Sequence, residues 1–102
     1  GFVGCGIVGR TVLQTLLDAG ITQPSDLLVS TRTTSRVQDL SAQGVDCRFD
    51  NAYVAGESNL LFVTVLPPQL PHVAVELMRA VRPQTLIVVL AAGLATAKMR
   101  AL

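Results

Sequence analysis

The sequence predicts an α/β layered fold in which a parallel sheet of about five strands is flanked by helices. Three observations predict it. Short apolar runs alternate with segments of helical spacing, and a glycine-rich turn joins the first such pair. Half of the 102 residues are apolar while only 4% are aromatic, so Val, Leu, Ile and Ala must build the core. A chain of this length makes one domain.

Taken in order, Phe2 and Val3 read as the end of a buried strand. From Val8 onward, Val12, Leu13, Leu16 and Leu17 recur on one helical face, and Gly20 stops that helix just past its end. "ITQPSD" is a loop. A buried strand follows over about Leu27 to Ser30, with turn residues before it and Thr, Arg and Ser after it. "TTSRVQDLSAQG" reads as a second helix with Val37 and Leu40 inward, Thr33 or Thr34 as cap and Gly44 as stop. "VDCRF" alternates as an edge strand does. "DNAYVAGES" is a short helical turn capped by Asp50 or Asn51, and "NLLFVTVL" is a strongly apolar strand. Pro67, Pro68 and Pro71 break that strand and open a helix, since proline suits a first turn and not an interior. Leu70, Val73 or Ala74, Leu77, Met78 and Val81 form its inner stripe. "TLIVVL" is the last strand, ended by "AAG". Strands alternating with helices in this way imply right-handed crossovers between parallel neighbours.

The formal charge of +1 and the lack of any run of like charges argue against a nucleic-acid or acidic-membrane surface. Leu86 to Ala95, the longest apolar stretch, is shorter than the roughly 20 residues of a bilayer helix, and no signal peptide is expected ahead of Gly1. A soluble protein is expected. Cys5 and Cys47 have neither metal-ligand nor disulfide-framework spacing, which points to a reducing, cytoplasmic compartment. Cys5 reads as a small side chain fitted into a crowded turn, with a reactive thiol as the less favoured alternative. No metal site is expected.

Gly4, Gly6 and Gly9 form a G-x-G-x-x-G between a strand and a helix. In that context the first glycine makes the turn, the second lets a pyrophosphate approach the backbone, and the third lets helix and strand pack closely. Ile7 and Val8 would then offer backbone N–H groups at the positive end of the helix. This is the signature of a Rossmann-like, doubly wound sheet holding a dinucleotide. A phosphate loop of the mononucleotide type fits less well, because no Gly-Lys-Ser/Thr follows and Arg10 cannot replace it.

An NAD site generally places an acidic residue about 20 positions past the glycines, to accept from the ribose 2′-hydroxyl. Here the second strand ends in "STRTTSR", and Asp26 lies at its other end. A guanidinium forks onto phosphate oxygens and hydroxyls add donors, so Thr31, Arg32 and Thr33 suit the 2′-phosphate of NADP, with Arg36 one turn on as helper.

"GFVGCGIVG", "LLVSTR", "DN" at Asp50 and Asn51, "TVLPPQ" and "LAAG", in this order, make the chain resemble the cofactor domain of the pyrroline-5-carboxylate reductase family over essentially its whole length. The resemblance implies NAD(P)H-dependent reduction of a cyclic imine. It implies that Gly4 to Gly9 hold the pyrophosphate and that Asn51 lies near the adenine ribose. Val65, Leu66 and Pro67 would line the ribose and nicotinamide, with Ala91, Ala92 and Gly93 giving backbone contacts beside the ring. Where the family commonly has Val-Lys-Pro, this chain has Leu66 in the lysine's place and an added Pro68. Residues 1–102 would be the NADP-binding domain. The family's helical substrate and dimerisation domain would follow Leu102, and any homo-oligomer would form through it. His72, Lys98, Tyr53 and Glu57 lack the surroundings of an acid or base, so no catalytic residue is assigned. A small-molecule substrate reduced by a longer chain is the first expectation, and a non-catalytic NADP-binding regulatory module is the alternative.

Overall fold

The computed structural model describes residues 1–90. Five strands, β1 (Phe2–Val3), β2 (Leu28–Ser30), β3 (Asp46–Arg48), β4 (Leu60–Val63) and β5 (Leu86–Val89), alternate with four helices. The helices are α1 (Ile7–Asp18), α2 (Gln38–Ala42), α3 (Asn51–Glu57) and α4 (Leu70–Ala80). All pairings are parallel and the sheet order is β3-β2-β1-β4-β5. The chain therefore winds outward from β1 to β3, crosses back over the sheet, and continues on the other side of β1. That reversal leaves a crevice between the carboxyl ends of β1 and β4.

Side chains alternate across the sheet, so each strand feeds two cores. Phe2 and Val29 pack with Leu13 of α1 and with Val37, Leu40 and Val45. Val3, Leu61 and Val63 pack on the opposite face with Val54 and Ala55 of α3 and with Leu70, Val73 and Leu77 of α4. Phe62 returns to the first face and stacks on Phe2, with centroids 4.8 Å apart. Burying each such side chain stabilises the fold by about 1.5–3 kcal/mol.

Both helices of the first face end in the same way. Gly20 takes φ +69° and Gly44 φ +108°, conformations that L side chains rarely adopt. The Gly20 and Ile21 N–H groups donate to the carbonyls of Leu17 and Leu16, at 3.1 and 3.0 Å. Those of Gly44 and Val45 donate to Ser41 and Leu40, each at 3.1 Å. These are paired Schellman closures, and both glycines stand where the sequence places a helix stop.

Three details differ from the sequence reading. The second helix is not continuous: a 3₁₀ turn at Thr34–Val37 precedes α2, and Val37 breaks the run with φ −119° and ψ 22°. Neither Thr33 nor Thr34 caps it with a side-chain hydrogen bond, whereas Asp50 does cap α3 by accepting from the Tyr53 N–H at 3.0 Å. On α4 the buried stripe is Leu70, Val73 and Leu77, with Val81 just past the helix partly buried against it as expected; Ala74 is exposed and Met78 is 70% exposed. The apolar β5 lies at the edge of the described sheet, with Leu86 exposed. Among the described residues no helix is long and apolar enough to cross a membrane, and no group of three metal-ligating side chains occurs.

Candidate functional site: a cleft at the sheet's switch point

A cleft of about 530 Å³ opens over the carboxyl ends of β1 to β4. Each strand delivers a short segment to it: Gly4 to Gly6, Ser30 to Thr33, Phe49 to Asn51, and Thr64 to Leu66. Gln69, the residue before α4, and His72, Val73 and Glu76 on it complete the wall at the i, i+3, i+4, i+7 spacing of a single helix face.

The three glycines meet three different physical demands. Gly4 has φ +83°, and a Cβ there would lie 3.0 Å from the Thr64 carbonyl oxygen. It turns the chain where no other residue fits. Gly6, the residue before α1, has ordinary extended backbone (φ −84°), and a Cβ on it would meet nothing within 4 Å. The space it leaves open belongs to the cleft. Gly9 is buried, and a Cβ there would come within 2.5 Å of Thr64 Oγ1. It is the point at which α1 rests on β4. Among the described residues no backbone acceptor takes the N–H of Ile7 or Val8 outside the helix, so the first turn keeps its free donors.

Thr64 ties this corner together. Its hydroxyl donates to the Gly4 carbonyl at 2.7 Å and its N–H to Val3 at 2.9 Å, so the residue after β4 fixes the turn after β1. Sequence reasoning passed over it, although one threonine interrupting "LLFVTVL" was the available signal. Gln69, Glu76 and Phe49 were missed as well.

At the far end of the cleft, Thr31, Arg32, Thr33 and Arg36 line the wall beyond β2. Among the described residues neither Arg32 nor Arg36 is ion-paired; the pairs are Arg10 with Asp39 and Arg48 with Asp46. Ser30 is buried and satisfied: its hydroxyl donates to Asn51 Oδ1 at 2.5 Å and accepts from the Asp50 N–H at 3.1 Å. Asn51 Nδ2 in turn donates to Glu76 at 3.3 Å. The end of β2, the start of α3 and the middle of α4 are thereby joined in one polar chain. Of the carboxylates in the cleft, Asp50 is engaged in capping and Glu76 is held by Asn51, so neither stands beside the arginines in an ion pair.

Gly4, Gly6, Thr31, Arg32, Thr33, Arg36, Asn51, Val65 and Leu66 are thus brought to one cleft. Ile7 and Val8 lie on the exposed first turn of α1, Gly9 lies beneath the turn, and Pro67 begins the 3₁₀ turn before α4, outside the wall. Ala91, Ala92, Gly93 and Lys98 fall outside the described residues. His72 is exposed and on the wall. Cys5 also lines the cleft; burial pushes its thiol up, and only part of that shift is offset by nearby Arg10. Burial likewise pushes the Cys47 thiol up. Both are the less nucleophilic, protonated form at neutral pH, in keeping with a packing role for Cys5.

The family model described as "NADP oxidoreductase coenzyme F420-dependent" matches residues 1–93. The chain belongs to this family. It is 36% identical over 77 residues to the mouse NADP-dependent oxidoreductase domain-containing protein 1, covering 76% of this chain and 21% of that protein. It is 30% identical over its full 102 residues to pyrroline-5-carboxylate reductase 3 of Danio rerio, or 35% of that protein's length. The pyrroline-5-carboxylate reductase of Escherichia coli is 30% identical over 94 residues, again 35% of its length. The chain therefore spans about a fifth to a third of these oxidoreductases. A putative oxidoreductase from Mycobacterium avium shares the fold, with a TM-score of 0.67 over 90% of this chain and 32% of the other, at 20% identity. The family is one of NAD(P)-dependent oxidoreductase domains, and the solved structure shares the Rossmann-like fold.

Proposed function

We propose that this chain is the NADP(H)-holding domain of an oxidoreductase that reduces a small cyclic imine of the pyrroline-5-carboxylate type. One observation carries the reading: among the described residues, the cleft has a glycine turn with free helix N–H groups at one end and two arginines without ion pairs at the other. A pyrophosphate suits the first end and the 2′-phosphate the second. The residues fit the cofactor, since Gly6 leaves open space where a side chain would obstruct the phosphates. Bound there, NADPH supplies the hydride. Gly4, Gly6 and the Ile7 and Val8 amides hold the pyrophosphate, while Thr31, Arg32, Thr33 and Arg36 bind the extra phosphate. Gly9 keeps the helix close enough to reach. Asn51 meets the adenine ribose, and Val65, Leu66 and Pro67 flank the reactive half together with Ala91, Ala92 and Gly93. A small-molecule substrate, a helical domain that encloses it and a homo-oligomer built through that domain complete the proposal.

Leu66 favours a second reading. It is 68% exposed at the rim, in the position where the resemblance calls for lysine. A domain that keeps the nucleotide and has lost turnover, a regulatory module, would tolerate that loss of a polar contact.

Calorimetric titration with NADPH and NADH separately tests the cofactor assignment. NADPH binds more tightly, by roughly tenfold or more given two charge-assisted contacts to the phosphate, and Arg32→Asp reverses or abolishes the preference. Equal affinities for the two coenzymes in the wild type would remove the 2′-phosphate site. Oxidation of NADPH on addition of pyrroline-5-carboxylate to the full-length protein separates the reductase from the module.

A further inference from the structure

Building on the NADP reading, we propose that Arg10 and Asp39, neither of which lines the cleft, set the preference for the 2′-phosphate by fixing the turn that carries Arg36 and by neutralising the carboxylate beside it.

Arg10 stands in the first turn of α1, immediately after the glycines, and its guanidinium leaves the cleft to reach the second helical segment. Its Nη1 and Nη2 donate to the two oxygens of Asp39 at 2.7 and 2.8 Å, and Nη2 donates also to the Arg36 carbonyl at 2.7 Å. The Arg36 N–H meanwhile donates to the Thr33 carbonyl at 3.1 Å. The backbone of Arg36 is clamped on both sides. Such a clamp matters because Thr34–Val37 is a 3₁₀ turn without a side-chain cap, a form with poorer hydrogen bonds than an α-helix. With side chains 33% and 61% exposed, the Arg10–Asp39 pair adds little to overall stability, so its geometry is the more consequential property.

Charge gives the pair a second effect. Asp39 Oδ1 and the Arg36 carbonyl share one donor, Arg10 Nη2, at 2.8 and 2.7 Å, which places the carboxylate beside the Arg36 backbone. A free carboxylate there would draw Arg36 away from the cleft and repel an incoming dianion. Arg10 holds the carboxylate in a bidentate grip instead, and Arg36 keeps its charge available to the cleft. Specificity for the phosphate thus depends on a residue that never contacts it.

The test is the ratio of NADPH to NADH affinity in the full-length protein, measured by calorimetry, with thermal melting recorded for each variant. Arg10→Met frees the carboxylate and releases the turn; the ratio falls about tenfold while NADH affinity stays at the wild-type value. Asp39→Asn keeps an acceptor and removes the charge, and costs about threefold or less. The double variant Arg10→Met with Asp39→Asn recovers part of the loss, because the repelling carboxylate is gone. A merely structural pair would behave otherwise: NADPH and NADH affinities would fall together, and the double variant would be no better than Arg10→Met. Either result overturns the proposal. If Arg10→Met fails to fold, Arg10→Lys, which keeps the charge and loses the fork, must still lower the ratio. Arg32→Ala run in parallel isolates the underlying reading. No effect of Arg32→Ala on the ratio sinks the 2′-phosphate site itself, whereas an effect there with none in the Arg10 variants sinks this proposal alone.

Discussion

Glycines 6 and 9 stand three residues apart and are separable by experiment. A methyl group on Gly9 would collide with the Thr64 hydroxyl, the one that holds the Gly4 carbonyl, so Gly9→Ala must either shift α1 or break that bond. It should cost about 1–3 kcal/mol of stability, visible as a lowered urea midpoint. A methyl group on Gly6 meets nothing within 4 Å and its backbone angles suit any residue. Gly6→Ala should leave the midpoint within about 0.5 kcal/mol of wild type and weaken NADPH binding instead. Equal losses of stability in both would show that the second glycine serves packing rather than a ligand. The tight turn at Gly4 and the close packing at Gly9 are legible in the sequence because strand, G-x-G-x-x-G and helix follow one another directly. Thr64 was not, since its partnership with Gly4 depends on a pairing of strands sixty residues apart.

At the level of elements, α1 and the segment containing α2 are joined side chain to side chain by Arg10 and Asp39. The Arg10 guanidinium holds the Asp39 carboxyl at about 2, below its ordinary 3.8. A carboxylate with a depressed folded value contributes stability above its unfolded value, and that contribution disappears as pH falls through the folded one. Wild type should therefore slightly exceed Asp39→Asn in urea midpoint at pH 5, and the difference should shrink as pH drops from 3.8 and be gone once pH has fallen through about 2. Because the pair is exposed, added salt should shrink the difference at every pH. A gap that persisted unchanged at pH 2 would mean that the asparagine acts through packing. The sequence also shows why the break before α2 escapes notice. Val37 and Leu40 are three apart, a spacing that fits a 3₁₀ turn and an α-helix equally well, so periodicity cannot tell one from the other. Met78 misleads for a related reason: its apolar side chain fits the periodicity, yet α3 and the sheet already cover the stripe formed by Leu70, Val73 and Leu77.

For the molecule as a whole, sheet order determines where ligands meet. Nothing in the local spacing of any single strand requires β4 to lie beside β1; that neighbourhood comes from the crossover after β3, and it brings segments from four strand ends to one cleft. Alternating apolar runs with glycine and proline punctuation made the nine elements readable, whereas the wall contributed by α4 required the assembled fold. Within the cleft, the span from the glycine turn to Arg32 and Arg36 is the adenosine side of the proposed cofactor, with Val65 and Leu66 on the other. Adenosine 2′,5′-bisphosphate, lacking the nicotinamide, should therefore compete with NADPH and perturb the backbone amide resonances of residues 30–36 and 49–51. Competition by adenosine 5′-monophosphate of equal strength would contradict a phosphate site beside Arg32.

The Schellman closures at Gly20 and Gly44 have a practical corollary for anyone wishing to re-engineer coenzyme choice. They end the two helices, at the side of the molecule away from the cleft, through main-chain hydrogen bonds that ask little of neighbouring side chains beyond the two glycines. Libraries randomised over the upper loops can then explore new chemistries while the foundation stays intact.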